Sequence, residues 1–136
     1  MVPRDRVGEV WPKVAPWLQQ ALDRGAGEYA LEDLEDYVRH GFAELFIAAD
    51  PQGLMAAAVA QIQDYPRTSL VGLLAAGGRQ MAGVSAMWPV VRAYAKERGC
   101  SGVRFYGRRG WARVGGRTLP PGWRHMQDVI FLPLEA

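Results

Sequence analysis

The sequence predicts an α/β domain: a mixed, mostly antiparallel sheet with helices flanking it. Three observations predict it. Apolar residues recur at helical spacing in two stretches of the first 40 residues. A hairpin signal follows, two strand-like runs joined by Asp50-Pro51-Gln52-Gly53. Then a strand, a glycine-containing segment, a helix and another strand succeed one another from Ser69 to Tyr106, an order that adds a parallel pair to an otherwise antiparallel sheet. With 136 residues, 49% of them apolar and 22% charged, the chain is large enough for one cored domain and has the balance of an ordinary globular protein.

The first helix is expected over Val10–Arg24. Val10, Val14, Trp17 or Leu18, and Ala21 fall on one face, and Gly25 stops it. Pro12 suits a first turn, whereas Pro16 predicts a kink or a late start. The second helix is expected over Leu31–His40, with Leu31, Leu34 and Val38 inward, acids in the first turns where the helix dipole favours them, and Gly41 as the C-terminal cap. Ala43–Ala49 and Leu54–Asp64 are the hairpin strands, and Ser69–Ala76 is an almost wholly apolar third strand. A helix follows to about Arg98. Ser85 as its N-cap places Pro89 in the tolerant first turn, with Trp88, Val91 and Ala95 inward and Gly99 closing it. Gly102–Tyr106 is a fourth strand, Gly107–Gly116 an irregular Arg- and Gly-rich segment with a turn of helix around Trp111, and Asp128–Leu132 a last strand. Trp17 and Trp88 fit a core, and Trp111 and Trp123 fit the lining of a pocket or an interface.

The formal net charge is only +2, but it is unevenly spread. Residues 1–64 carry eleven acids against five bases, and residues 65–136 three acids against eleven bases. A basic half on a near-neutral chain suggests an anionic partner for that half. The single cysteine, Cys100, excludes an internal disulfide and a cysteine metal cage. The two histidines, His40 and His125, have no metal-ligand spacing. No apolar run approaches a membrane span, and no apolar segment follows the first residues as a secretory signal requires. The expectation is a soluble protein of a reducing, cytoplasmic compartment, with no membrane partner.

Glycine-containing segments between a strand and a helix bind phosphate, because the backbone approaches closely and the helix N-terminus offers unpaired N–H groups. Gln80-Met81-Ala82-Gly83-Val84-Ser85 has that placement. It has neither the Gly-Lys-Ser/Thr ending of a P-loop nor a Gly-x-Gly-x-x-Gly fingerprint. With this segment, the chain resembles the GNAT superfamily of acyl-CoA-dependent N-acyltransferases over roughly residues 10–132. The family's pyrophosphate loop reads Gln/Arg-x-x-Gly-x-Gly/Ala, and Gln80-x-x-Gly83-x-Ser85 is similar to it, with Ser in the last slot.

The resemblance implies an acyl-CoA cofactor, acetyl-CoA or another, and an amine acceptor. It implies cofactor contacts from the end of the third strand (Leu74, Ala75, Ala76), from Arg79 and the Gln80–Ser85 loop, and from the arginines that follow the fourth strand. Among these, Arg108 and Arg109 are the strongest candidates, with Arg104, Arg113 and Arg117 in the same basic run. The fourth strand would splay from the third to leave a V-shaped cleft. Tyr106 is the candidate acid for the leaving thiolate, and Glu44 and Asp64 are the candidate bases. The chain departs from the family in lacking an N-terminal strand before the first helix and in having no Tyr on the helix after the splayed strand. In those features, and in its Gly-Arg-x-Gly-Trp run, it looks like small GNAT-like proteins of tailed bacteriophages and prophages. The alternative to an enzyme is therefore an inactive phage or prophage component that meets virion or host proteins. Arginines interleaved with Tyr106, Trp111 and Trp123 also fit base stacking, but no nucleic-acid-binding motif accompanies them.

Overall fold

The apolar stripe of the first segment winds it into a helix longer than its prolines suggest. The computed structural model describes residues 1–25, 27–79, 81–106, 119, 121–126 and 130–134. After a turn of 3-10 helix at Arg4–Arg6, helix α1 runs over Val7–Leu22 with both Pro12 and Pro16 inside it. Both prolines lie on the exposed face, where they displace no packing. The earlier start adds Val7 to the buried stripe, which continues through Trp11, a residue not expected to face inward, and through Val14 and Leu18. Val10, Trp17 and Ala21 pack at its flank.

Helix α2, Leu31–Arg39, buries Leu34 and Val38 as expected. The Asp33 carboxylate accepts the Ala30 N–H at 2.8 Å and so caps its first turn. Gly41, at φ +82°, takes the chain out of the helix in a left-handed conformation.

Strands β1 (Glu44–Asp50), β2 (Gly53–Asp64) and β3 (Ser69–Gly78) form an antiparallel meander, and β4 (Gly102–Phe105) joins β3 in parallel. The hairpin turn is held by the Asp50 carboxylate, which accepts the Gln52 N–H at 2.8 Å. Two cores sit on the two faces of the sheet. Helices α1 and α2 cover Leu45, Ala57, Val59 and Ala75. Helix α3, Met81–Glu97, covers Phe46, Ala56, Ala58, Ala60 and Val71 on the other face. The strand reading of the alanine-rich β2 holds, because small side chains let helices approach both faces closely.

Two expectations need correction. Ser85 is not an N-cap: α3 begins at Met81, so Ser85 lies in its second turn and Pro89 in its interior. Pro89 is tolerated there because it faces solvent, like the prolines of α1. Trp88, Val91 and Ala95 face inward as expected, and the earlier start adds Gly83 and Val84 to the same buried stripe, which also takes in Met87. The last strand is not seen among the described residues, where Ile130, Phe131 and Leu132 are exposed and unpaired in the sheet. Asp128 and Val129 lie outside the described residues, as do Arg117 and the whole Gly107–Gly116 segment with Trp111 and Arg113. No described helix is long and apolar enough to cross a membrane.

Candidate functional site

The parallel ladder between β3 and β4 is short. It pairs Leu70 with Gly102, Val71 with Val103, Gly72 with Arg104 and Leu73 with Phe105, and ends there. Strand β3 continues for five more residues, Leu74–Gly78, paired with β2 alone. On the side that β4 has left, this stretch has no ladder partner among the described residues, and among them its edge is open. The ladder with β2 is irregular at the same level. Val59 pairs with Ala75 and Ala60 with Leu73, leaving Leu74 as the extra residue of a bulge.

Beyond Gly78, only Arg79 and Gln80 separate the strand from Met81, the first residue of α3. A helix start therefore follows the open stretch of β3 after two residues, a succession suited to an anion joined to an extended, hydrogen-bonding arm.

The small residues here have a second task. A Cβ on Gly77 would lie 2.9 Å from the Trp17 carbonyl oxygen of α1, and one on Gly78 only 2.3 Å from the Met55 carbonyl oxygen of β2. A Cβ on Gly83 would come within 2.7 Å of the Met55 Cβ and 3.0 Å of the Ala56 Cβ. Gly83 is thus required by helix-on-strand packing, whatever else it contacts. Val84 belongs to the same buried stripe. Ser85 is half-buried on α3, and Gln80 lies outside the described residues, as do the side chains of Met81 and Ala82.

Leu74 and Ala75 pack toward the α1 core and Ala76 toward the α3 core, so the contribution of this stretch at its open edge is main chain. Arg79 is engaged within the fold. Its Nη2 donates to the Asp50 carboxylate at 2.7 Å, its Nε to the Leu54 carbonyl at 3.0 Å and its backbone N–H to the Met55 carbonyl at 2.9 Å.

The three candidate acid–base residues do not meet. Glu44, on the edge strand β1, receives the Arg4 guanidinium at 3.2 Å. Three strand spacings, about 14 Å, separate β1 from β4. Asp64, at the end of β2, accepts the Ser69 hydroxyl at 2.5 Å. Tyr106 directly follows β4 at the point where the ladder ends, with 66% of its surface exposed. It alone of the three stands beside the open edge.

Arg104 lies on the opposite face of the sheet from α3. Val103 packs in the α3 core and Phe105 against Trp88, so alternation turns Arg104 and Tyr106 to the other side. There its Nη2 donates to Gln63 Oε1 at 2.8 Å and to the Tyr65 hydroxyl at 2.5 Å. The sequence reading does not group these residues. The period-two polar run Gln61, Gln63, Tyr65 on β2 is the signal that marks them. Arg108 and Arg109 lie outside the described residues.

An open groove of about 720 Å³ lies elsewhere, between the C-terminal half of α3, the start of β4 and Pro121–Trp123. Trp123 lines it, in keeping with the pocket role expected of that residue, but no other candidate site residue among the described residues does. It touches neither the open edge of β3 nor the start of α3. No cluster of metal-ligating side chains occurs among the described residues.

No protein-family model matches the sequence, and no curated protein matches it. Solved structures do. An aminoglycoside acetyltransferase from an uncultured soil metagenomic sample, in complex with sisomicin, superposes with a TM-score of 0.68 at 12% identity, over 98% of this chain and 93% of that one. A Trypanosoma brucei acetyltransferase gives 0.63 at 13% identity, over 98% and 96%. The wild-type TTHA1254 protein of Thermus thermophilus gives 0.61 at 14% identity, over 98% and 96%. The fold is GNAT-like. At these identities the likeness is one of fold, and it extends over nearly the whole chain. Within the GNAT-like frame, the strand expected to splay is β4, and its ladder with β3 ends after four pairs. The resemblance to phage and prophage proteins finds no counterpart among these structures.

Proposed function

We propose that the protein binds an acyl-CoA along the open edge of β3 and transfers its acyl group, acetyl in the simplest case, to an amine. The observation that carries this reading is the coincidence of three features: the end of the β3–β4 ladder at Leu73, the bulge at Leu74 and the start of α3 at Met81. The pantetheine arm would pair with main chain of Leu74–Ala76, and the pyrophosphate would meet the first turn of α3. The amine nitrogen would add to the thioester carbonyl to form a tetrahedral intermediate and give up its proton to solvent water, and collapse of that intermediate would break the C–S bond and release the amide and the CoA thiolate. Strand-end N–H groups would stabilise the oxyanion of the tetrahedral intermediate. Tyr106, which follows β4 where the ladder ends, would return a proton to the thiolate. Glu44 and Asp64 are engaged away from it and are not assigned the base.

Calorimetric titration with acetyl-CoA, paired with amide chemical-shift mapping, tests the reading. Binding is expected with shifts at Leu74–Gly78 and in the first turn of α3. No heat at near-millimolar ligand, or shifts confined to the groove at Trp123, would overturn it.

A second reading has its own support. Arg79 and Gly83, both expected to contact the cofactor, are used by the fold itself. That favours a protein that keeps the fold without turnover, such as a phage or prophage component acting through virion or host proteins. The same titration separates the two.

A further inference from the structure

Arg104 is a cation held in place with no carboxylate beside it among the described residues. Its guanidinium carbon lies 5.4 Å from the centre of the Tyr65 ring and 5.7 Å from that of Tyr106, within cation–π range of both. Both of its hydrogen bonds leave from Nη2, to Gln63 and Tyr65. The donors of Nε and Nη1 have no hydrogen-bond partner among the described residues. Arg104 also takes part in none of their ion pairs, whereas Arg4, Arg6, Arg39 and Arg79 each have a carboxylate.

The site is built with some care. Gly72, opposite Arg104 in the ladder, has no side chain, and the Gln63 amide occupies the space that its Cβ would fill, at 2.5–2.6 Å. That vacancy lets Gln63 reach across β3 to Arg104. The stem of Arg104 is fixed by its strand and its head by two rings and two acceptors, so little side-chain entropy remains to be lost on meeting an anion.

Its position says which anion. Arg104 faces away from α3, whereas the proposed phosphate site is the start of α3. It therefore cannot serve the same phosphates. It stands one ladder step below Leu73–Phe105, where the open edge begins, on the face that α1 and α2 cover. A second substrate approaching the thioester from that face passes Arg104 and Tyr106. Resting on the acyltransferase reading above, we propose that Arg104, framed by Tyr65 and Tyr106, recognises an anionic group on the acyl acceptor. The acceptor is then an amine whose skeleton also bears a carboxylate or a phosphate.

The test uses the full chain and matched ligand pairs. Free amino acids are compared with their carboxamides, and phosphoethanolamine with ethanolamine. Binding is read from the Arg104 Nε–H resonance and the Tyr65 and Tyr106 ring signals, which need no acyl transfer. The acidic member of at least one pair is expected to shift these signals and the neutral member to leave them in place. The responding pair separates a carboxylate from a phosphate. Arg104→Gln is expected to weaken the acidic member about tenfold or more and leave the neutral member unchanged. Arg104→Lys should retain part of the preference. In turnover, Arg104→Gln should collapse the acid-over-amide ratio of kcat/KM while acetyl-CoA affinity stays constant. Equal response to both members of every pair, or none from any anion, overturns the assignment even if Arg104→Gln fails to fold, because the wild-type comparison needs no variant. Absence of acetyl-CoA heat overturns the acyltransferase reading and the acceptor role with it. Acetyl-CoA heat without an anion-dependent shift at Arg104 overturns this inference alone.

Discussion

The two halves of β3 are built on different terms. From Ser69 to Leu73 the strand lies between two neighbours, β2 and β4, and its side chains carry the packing: Val71 is fully buried in the α3 core. From Leu74 to Gly78 it has β2 alone, and the side chains shrink to Ala75, Ala76, Gly77 and Gly78. In the first half the backbone is consumed by the sheet. In the second, α1 and β2 press against bare main chain on two sides, at Trp17 and Met55, while the third side has no ladder partner among the described residues. Close packing and an exposed backbone edge are thus two results of the same small residues.

A single methyl at each end distinguishes the halves most strongly. In Gly78→Ala the new Cβ would lie 2.3 Å from the Met55 carbonyl oxygen and 2.7 Å from the Ala56 Cα, and neither main-chain atom moves cheaply. The expected loss is about 3 kcal/mol in urea denaturation, with acetyl-CoA binding lost as the edge shifts. In Gly72→Ala the Cβ meets the end of the Gln63 side chain at 2.5 Å, which swings aside. The expected loss there is about 1 kcal/mol, with acetyl-CoA affinity kept and Arg104 deprived of one acceptor. Equal costs for the two variants would erase the distinction between the halves.

Much of this contrast is hidden in the sequence, for identifiable reasons. Helical spacing and turn residues carry α2, the hairpin and the inward face of α3, because those signals depend on near neighbours. The starts of α1 and α3 mislead because a proline ordinarily marks a first turn. Pro12, Pro16 and Pro89 all sit mid-helix on outward faces, where the missing hydrogen bond costs the core nothing. The glycine segment is legible as a strand-to-helix joint, but the packing demand on Gly83 depends on where β2 lies, which no local pattern reports. In the sequence Arg104 groups with the arginines after it as a phosphate ligand. Strand alternation puts it on the opposite face from α3, and the polar alternation of Gln61, Gln63 and Tyr65 is the pointer to what receives it.

Arg79 gives the next largest effect. It ties the open end of β3 back to the hairpin through Asp50 and Leu54. Arg79→Ala should lower the melting temperature by about 4 °C. Because the guanidinium is already engaged, acetyl-CoA affinity should change by less than about threefold, too little for a lost charge-assisted hydrogen bond. A tenfold loss in calorimetry would instead mean that Arg79 leaves Asp50 for the cofactor's phosphates, and that the open half of β3 is completed only when ligand arrives.

The smallest effect is a pH dependence confined to the same tie. Desolvation pushes the Asp50 carboxyl up, but the Gln52 amide, the Arg79 guanidinium and the Gly53 amide together outweigh it and hold it below its ordinary value. A carboxylate depressed in the folded state contributes stability that is fully present above its unfolded value, about 4, and is lost as pH falls through the folded value. The urea midpoint of the wild-type chain should therefore fall as the pH drops below about 4. Asp50→Asn should be less stable at neutral pH and show a shallower acid slope. Because Asp50 touches the open half of β3 through Arg79 and the paired half not at all, amide exchange should quicken in acid at Leu74–Gly78 before it does at Ser69–Leu73. Equal quickening in both halves would show that the tie does not set the stability of the open edge.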